Sequence, residues 1–563
     1  MRALKFAKLV FLAAVVLTLL LRVMLPLLNT RQPSGHDVLN YIARLSEFQE
    51  NIRHGILLPR WAPDLSKGNG QPIFLFAPPA IFYLGSFWNL LGFDLATSVD
   101  LAAAVIVIAS GCFMFLFCRL LFGNAGGWLG AAAYLYSPYF HVNLYVRRAL
   151  SEFATFPFYP ATLYAFTRYA REGKRRFLIL GSASYAAILL SHNPSALLFT
   201  PVLLAYISFQ AWQSQSWKLL FKQLAGMMLG LALSAYIWLP SLLEKKFVHI
   251  DRMVAGYYDY SNHWVLPQQF FWKAWGYGGS IPGPGDDMSF SLGWNHLVVA
   301  AISIALVFYR GEIGSRRYQA FLGCVVIALC VLMTSASSFI WKIAPMLHFV
   351  QFPWRLLGPA CFCLAVLVSA AGPVLPAIEG RRLISILALV LLMVVPNWRH
   401  PRPRFYFNIN LSEWTPDAIA RRGVEPSAER ENEPLWVQEP PPYSEDRLKI
   451  VSGTGSTGLI RAEPTRLSAD LSMQEAGVVE ARLFYFPGWE AKIDRKRIQV
   501  STEPVSGRIQ FPVPAGNHSV TLSFRRTWPR LLAEIVSAVS LFVAIMLCSV
   551  SPHLSRRSVR SRS

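Results

Sequence analysis

The run SVDLAAAVIVIASGCFMFLFC, residues 98–118, contains one acidic residue and no basic residue. A helix of about 20 predominantly apolar residues crosses the hydrocarbon core of a bilayer. Comparable runs recur along the 563-residue chain, which is 54% hydrophobic and only 15% charged. The sequence therefore predicts a polytopic α-helical membrane protein with about twelve spanning helices. The predicted spans lie near residues 6–28, 98–118, 125–142, 153–168, 177–192, 195–212, 219–243, 293–309, 318–336, 356–377, 383–397 and 530–550.

The distribution of basic residues predicts how these helices are oriented. Basic clusters occur between apolar runs, at residues 168–176, 218–222, 310–317, 381–382 and 556–562. If the apolar stretch 75–93, which carries Pro78-Pro79, lies along the outer surface, every cluster joins the N-terminus on the cytoplasmic side. We therefore expect a multi-pass protein of the bacterial cytoplasmic membrane with both termini inside. The first apolar run is expected to be an uncleaved signal anchor.

The composition also argues against several classes of protein. The formal net charge is +21, but the basic residues are grouped where they orient helices, so nucleic-acid binding is not indicated. All seven cysteines fall inside apolar segments, and neither a disulfide framework nor a thiolate metal cage is expected.

A long outer segment, residues 398–528, has a different pattern from the rest of the chain. It is proline-rich at first, and apolar and polar residues then alternate at 482–486, 508–511 and 520–524. Turn signals at 487–488 and 515–517 complete the pattern of a small antiparallel β domain. We therefore predict three parts: a transmembrane module at 1–397, an extracytoplasmic β-rich domain at 398–528, and a last helix with a basic cytoplasmic tail at 529–563.

The first outer loop begins with Gly35-His36-Asp37 directly after the first apolar run. An aspartate at the membrane exit suits a catalytic base, whereas a helix N-cap or a solvated loop residue is the alternative. An amphipathic helix then leads into a Gly/Pro-rich loop that contains Arg60-Trp61, as expected of a site at the membrane surface. His36, Arg60 and Trp61 are accordingly candidates for contact with substrate.

Two arginines stand outside the membrane, in the stretch Arg147-Arg148-Ala149-Leu150-Ser151-Glu152. Charge at this position is costly unless it has a use. The functional interpretation is that Arg147 and Arg148 hold a lipid phosphate by charge-assisted bonds, while Glu152 orients an arginine or shares acid–base work with Asp37. Snorkelling of both arginines to lipid headgroups is the alternative.

Two more outer positions are candidate phosphate ligands. His192 lies at the tip between two predicted helices, where it is either part of a capped turn or a donor to a leaving phosphate. Arg355, in Gln351-Phe352-Pro353-Trp354-Arg355, is another outward-facing cation at a helix start. Its aromatic neighbours suit either a sugar, an isoprenoid or simple anchoring at the interface.

The outer loop 244–293 is rich in aromatic residues, among them Tyr257, Tyr258 and Trp264. Their rings would stack on a sugar, or else form an interfacial aromatic belt. Asp286-Asp287 in the same loop favours a turn, with a divalent-cation site as the alternative. No other cofactor or metal site is indicated.

Taken together, these motifs resemble the GT-C superfamily of membrane glycosyltransferases. The resemblance rests on Gly35-His36-Asp37, Pro59-Arg60-Trp61, Pro78-Pro79, the 147–152 stretch and the late outer β domain. More narrowly, with His192-Asn193 and residues 351–355, the chain is similar to bacterial membrane proteins labelled 6-pyruvoyl-tetrahydropterin synthase-related. The sequence has no His cluster suited to the zinc site of a pterin enzyme.

This resemblance implies transfer of a sugar from a polyprenyl-phosphate donor to a cell-envelope glycan, lipid or protein on the outer face. The first-loop acidic residue of the superfamily maps to Asp37 as general base of an inverting transfer, and a second acidic position maps to Glu152. A transporter or flippase for lipid-linked glycans and a non-catalytic envelope scaffold are the rival functions. Most distinctive polar residues fall at outer helix ends rather than at mid-membrane, which favours the enzyme.

Overall fold

The computed structural model describes residues 15, 17–272, 274–427 and 429–549. The first part of the predicted N-terminal span and the basic C-terminal tail lie outside these residues. The described part of the chain forms a helical body up to residue 394, then an irregular segment, then two β-sheets, then a last helix. The longer helices are Val38–Arg53, Ala80–Leu90, Leu95–Leu135, Phe158–Glu172, Arg175–Ser191, Asn193–Gln213, Trp217–Leu233, Ala235–Glu244, Trp294–Arg310, Ile313–Leu332, Leu357–Ser369, Glu379–Val394 and Trp528–Ser549.

Within the described residues, five helices are long and apolar enough to cross a membrane. The number is six if Trp217–Leu233 and Ala235–Phe247, which meet at a bend of 68°, form one span. The predicted number of twelve is not confirmed. One physical reason is that several apolar runs form helices too short to span: the run predicted at 153–168 forms Phe158–Glu172, which has only 15 residues because it begins after a turn at 154–157.

The element Leu95–Leu135 consists of two antiparallel helices rather than one long rod. Phe122 and Gly123 leave helical geometry, and Gly123 has φ +70° and ψ −175°. The rings of Phe115 and Trp128 lie 4.5 Å apart, although 13 residues of continuous helix would separate them by about 20 Å. The chain therefore reverses at Gly123, in agreement with the separate spans predicted at 98–118 and 125–142.

The apolar stretch 75–93, on which the predicted orientation depends, contains a helix that is too short to span the membrane. It forms Ala80–Leu90, 11 residues or about 16 Å long, against a hydrocarbon core of about 30 Å. This helix packs beside the amphipathic helix Val38–Arg53, where Phe48 lies 5.7 Å from Phe82 between ring centroids. A helix of this length does not span the membrane, and placement of the stretch along the outer surface stays a prediction.

The β-rich region confirms the alternation predicted near the C-terminus. One sheet has the order β3-β6-β10-β9 and the other β4-β5-β11-β7-β8, with antiparallel pairing throughout. Both sheets contribute to one buried core, as in a β-sandwich. The strands are β1 (Gln32–Pro33), β2 (Tyr406–Phe407), β3 (Leu448–Ser452), β4 (Gly455–Glu463), β5 (Arg466–Met473), β6 (Gly477–Phe484), β7 (Trp489–Ile493), β8 (Lys496–Ile498), β9 (Ser501–Thr502), β10 (Arg508–Val513) and β11 (Gly516–Phe524).

The segment between residue 398 and the sandwich packs on the first outer loop. Strand β2 pairs with β1, and the Ser46 hydroxyl donates to the Trp414 carbonyl at 2.7 Å. Trp414 and Ile419 are buried in the same core as the membrane helices, whereas the sandwich has its own core. Residues 398–528 are therefore structurally divided, and the strands of the sandwich begin at Leu448.

Candidate functional site

The chain brings Asp37 beside Arg147 by main-chain hydrogen bonds. The His36 amide donates to the Val146 carbonyl at 3.1 Å, and the Asp37 amide donates to the Arg147 carbonyl at 3.0 Å. A Cβ at Gly35 would overlap the side chain of Arg148, so this close approach requires glycine. Two segments far apart in sequence are thus held together.

The carboxylate of Asp37 is half-buried and makes no hydrogen bond to any described residue. It occupies the N-cap position of Val38–Arg53, yet its side chain does not cap that helix. Burial raises the pKa of Asp37, and the positive charges of Arg147, Arg44, His36 and Arg355 oppose this rise. A carboxylate that is free of structural bonds and surrounded by cations is available for proton transfer.

Glu152, by contrast, is committed to a network of bonds. Its Oε1 accepts from the Tyr139 hydroxyl at 2.6 Å and from the Asn143 amide at 3.1 Å. Its Oε2 accepts from Nη1 of Arg147 at 2.8 Å and lies 3.4 Å from Nε of Arg355. Burial penalises the charged carboxylate, but the two arginines outweigh that penalty and lower the pKa of Glu152 to about 2.

The two arginines share aromatic support. The guanidinium of Arg147 lies 4.6 Å from the centre of the Trp354 ring, and that of Arg355 lies 5.0 Å from the Phe352 ring. These two rings stack on each other at 4.8 Å. The planes of the guanidinium groups are therefore fixed by cation–π contacts as well as by Glu152.

His192 joins this group as a neutral side chain. Its Nδ1 accepts from the Ser195 amide at 3.3 Å, so the proton of the neutral ring is on Nε2. Burial and the charge of Arg355 lower the pKa of His192 to about 3, despite the opposing effect of Glu152. At neutral pH it can donate one hydrogen bond but carries no positive charge.

Two of the predicted arginines, Arg148 and Arg60, lie outside this group. Arg148 is fully buried and forms an ion pair with Asp100, to which the Gln32 amide also donates at 3.3 Å. Arg60 donates to the Tyr236 carbonyl at 2.6 Å and lies 3.7 Å from Glu534. The structure therefore gives both arginines protein partners instead of an exposed phosphate site.

Trp61 belongs to the contact with the β-sandwich. Its side chain is fully buried, and its ring centroid lies 5.4 Å from that of Trp489 and 5.2 Å from that of Phe524. The sequence-based hypothesis made Trp61 a substrate contact, whereas its surroundings are those of a packing residue.

The remaining predicted aromatic and imidazole groups are divided between two places. Tyr257 and Tyr258 lie 5.9 and 6.0 Å from Phe352, next to the arginine group. His36 is exposed, and its Nε2 lies 2.9 Å from the carbonyl of Tyr277. Trp264 packs instead against Trp341 at 5.7 Å.

The sequence reasoning missed Tyr139 and Asn143, which bind Glu152 directly. Together with Arg147 they recur at intervals of four residues, a spacing that places side chains on one side of a helix. This periodicity was a usable signal. The main chain over Val142–Arg147 adopts a π-helix, a local distortion that is frequent at functional sites.

No group of three or more His, Cys, Asp or Glu side chains suited to a metal ion occurs within the described residues. Asp286, considered above for a divalent cation, accepts from the Gln269 amide at 2.9 Å and from the Ile281 amide at 3.0 Å. These bonds fit the turn that the sequence favoured at this position.

Comparison with solved structures gives low-scoring similarities. An electron cryomicroscopy structure of the arabinofuranosyltransferase AftD from Mycobacteria matches 72% of this chain and 28% of its own, with 18% identity and a TM-score of 0.44. A crystal structure of ArnT from Cupriavidus metallidurans bound to undecaprenyl phosphate matches 69% of this chain and 64% of its own, with 15% identity and a TM-score of 0.41. The chain thus covers less than two thirds of either protein.

No curated protein matches the chain. A family model does match it: residues 77–238 correspond to the family described as dolichyl-phosphate-mannose-protein mannosyltransferase. The matched region includes Arg147, Glu152 and His192. The match covers 162 of the 563 residues and agrees with the resemblance to membrane glycosyltransferases that the motifs carry.

Proposed function

We propose that the protein transfers a sugar from a polyprenyl-phosphate donor to a cell-envelope acceptor on the outer face of the bacterial cytoplasmic membrane, with inversion at the anomeric carbon. The observation that carries this proposal is the free carboxylate of Asp37, held by its own main chain beside Arg147. Two main-chain hydrogen bonds thus hold a candidate base next to a candidate phosphate ligand. Both termini are assigned to the cytoplasm.

The donor phosphate would bind to the arginine group. Nη1 of Arg147 is occupied by Glu152, but its Nη2 makes no hydrogen bond to a described residue, and the same holds for Nη2 of Arg355. Two guanidinium groups with free nitrogens can bind a phosphate by charge-assisted hydrogen bonds. Nε2 of His192 would add a neutral donor.

In the proposed reaction, Asp37 takes the proton of an acceptor hydroxyl. The oxygen of that hydroxyl forms a bond to the anomeric carbon. The bond between that carbon and the phosphate oxygen breaks, and its electron pair leaves with the polyprenyl phosphate. Arg147 and Arg355 stabilise the charge that develops there. Raising the pKa of Asp37 by burial makes it a better proton acceptor than an exposed aspartate.

Of the two roles considered for Glu152, orienting an arginine or sharing acid–base work with Asp37, its contacts favour the first. With four partners and a pKa of about 2, it is a poor proton acceptor at neutral pH. We assign it as a positioning residue, which fixes Arg147 and Arg355 for the phosphate. Arg148, Arg60, Trp61 and Trp264 are left out of the proposed site because of their other contacts.

The test is transfer of radiolabelled sugar in membranes that contain wild type or Asp37→Asn, supplied with a panel of polyprenyl-phosphate sugars and envelope acceptors. We expect at least about 10²-fold slower transfer by Asp37→Asn, with binding of the donor lipid unchanged, because only the base is lost. Asp251→Asn, an exposed outer aspartate, is the matched control and should keep full activity. Full activity of Asp37→Asn would remove Asp37 from the mechanism.

A further inference from the structure

A cleft lies at the far end of the amphipathic helix from Asp37. It consists of two adjoining cavities of about 360 and 120 Å³, and Glu50, Thr415 and Pro416 line both of them. Gln49 lies 12 residues after Asp37 on the same helix, which corresponds to about 18 Å. The cleft is therefore separate from the proposed transfer site.

A buried amide lines the smaller cavity without a partner. Gln49 is only 2% exposed, and neither its Oε1 nor its Nε2 has a hydrogen-bond partner among the described residues. Buried polar side chains are nearly always hydrogen-bonded, so an amide in this state needs a group from outside the chain. A hydroxyl can satisfy it, because it both donates and accepts.

The wider cavity adds acceptors for further hydroxyl groups. Its lining includes the carboxylates of Asp64, Asp417 and Glu463, with Arg447 as the basic residue. Asp417 and Glu463 are exposed, and their carboxylates make no hydrogen bond within the described part of the chain. Carboxylates accept hydrogen bonds from several hydroxyls, and their negative charge disfavours an anionic ligand.

An aromatic residue borders the smaller cavity. Trp414 lines it although its side chain is largely buried, and the guanidinium of Arg422 lies 5.2 Å from the centre of its ring. Side chains that combine an apolar ring face with nearby carboxylates and amides provide both kinds of contact that a sugar needs, for its C–H faces and for its hydroxyls.

From this combination we infer that the cleft lined by Gln49, Glu50, Trp414, Asp417 and Glu463 binds an uncharged, hydroxyl-rich glycan. Binding here does not depend on the transfer reaction, because the cleft contains none of the residues assigned to it. The amide of Gln49 bonds to a ring hydroxyl in the narrow part, and the carboxylates bond to the following sugar unit in the wide part.

The test is direct binding to the purified full-length protein in lipid nanodiscs, by titration with gluco-, manno-, galacto- and arabino-tetrasaccharides. Oligogalacturonate serves as the anionic counterpart of the galactose probe. We expect saturable binding of at least one neutral tetrasaccharide and no binding of oligogalacturonate. Asp417→Ala and Gln49→Leu should each weaken binding about tenfold, the loss expected for one hydrogen bond of this type.

Glu475→Ala is the matched control, since Glu475 is an exposed acidic residue between β5 and β6, and it should bind like wild type. Asp417 is on the surface, so its replacement keeps the test valid even if Gln49→Leu folds poorly. The inference is overturned if no neutral tetrasaccharide binds at about 10 mM. It is also overturned if oligogalacturonate binds more tightly than the neutral galactose probe, or if Asp417→Ala binds like wild type.

Discussion

Replacing Glu152 with glutamine tests the role of its carboxylate as the counter-ion of two buried arginines. The side chains of Arg147 and Arg355 are 8% and 11% exposed, and the side chain of Glu152 is 3% exposed. Glutamine keeps the shape but removes the charge, and its amide group places a donor opposite the donors of Arg147. The variant therefore leaves the positive charges of two buried guanidinium groups without a counter-ion.

The expected loss of stability follows from the pKa of Glu152. The difference between an ordinary value of 4.5 and about 2 corresponds to roughly 3 kcal/mol in favour of the charged form in the folded protein. This agrees with the ~3–5 kcal/mol lost when one partner of a buried ion pair is removed. We expect Glu152→Gln to reduce the free energy of unfolding by about 3 kcal/mol at pH 7.

The same argument predicts a pH dependence. Because folding lowers the pKa of Glu152, its contribution to the free energy of unfolding is fully present above about pH 4.5 and is lost as the pH falls through about 2. The difference between wild type and Glu152→Gln should therefore shrink between pH 4.5 and pH 2. Glu172→Gln is the control, since Glu172 pairs with Arg168 at the surface, and a much smaller effect is expected there.

The assay is reversible unfolding in mixed micelles, followed by tryptophan fluorescence at a series of pH values. Equal stability of wild type and Glu152→Gln at pH 7 would refute the proposed counter-ion role. A difference that stays constant down to pH 2 would refute its electrostatic origin, because a packing defect does not titrate in this range.

Three other variants test separate parts of the structure. Arg44→Gln should move the acid limb of kcat/KM to higher pH, because Arg44 lowers the pKa of Asp37; an unchanged limb would contradict Asp37 as the base. Arg148→Met should lower the free energy of unfolding by about 3–5 kcal/mol, because Asp100 stays buried without its partner. Loss of donor-lipid affinity in a folded Arg148→Lys protein would instead restore Arg148 to the phosphate site. Trp61→Ala should lower the free energy of unfolding by about 3–5 kcal/mol and speed proteolytic release of the β-sandwich. Unchanged stability would contradict the packing role of Trp61.

Local pattern was sufficient for much of the architecture. The apolar runs correspond to helices because burial of apolar side chains, in lipid or protein, depends on composition over one segment. The alternation in 508–511 and 520–524 likewise corresponds to β10 and β11. The positions of Arg147, Glu152, His192 and Asp37 at or near helix ends likewise agree with the sequence pattern.

The partners of these residues did not follow from local pattern. Arg148 pairs with Asp100, 48 residues earlier, which is the single acidic residue of the apolar run 98–118. Trp61 packs against Trp489, so its role depends on where the sandwich docks. No periodicity of a single segment contains such contacts, which exist only when distant segments meet.

The sequence by itself therefore determined a helical membrane protein with a β-rich region near its C-terminus and charged residues at helix ends, because these properties depend on hydrophobicity and charge along the chain. Only the tertiary structure decided that Glu152 is held by Tyr139, Asn143 and two arginines while the carboxylate of Asp37 stays free. The physical reason is that a carboxylate becomes a counter-ion or a candidate base according to the partners that surround it, and those partners come from separate parts of the fold.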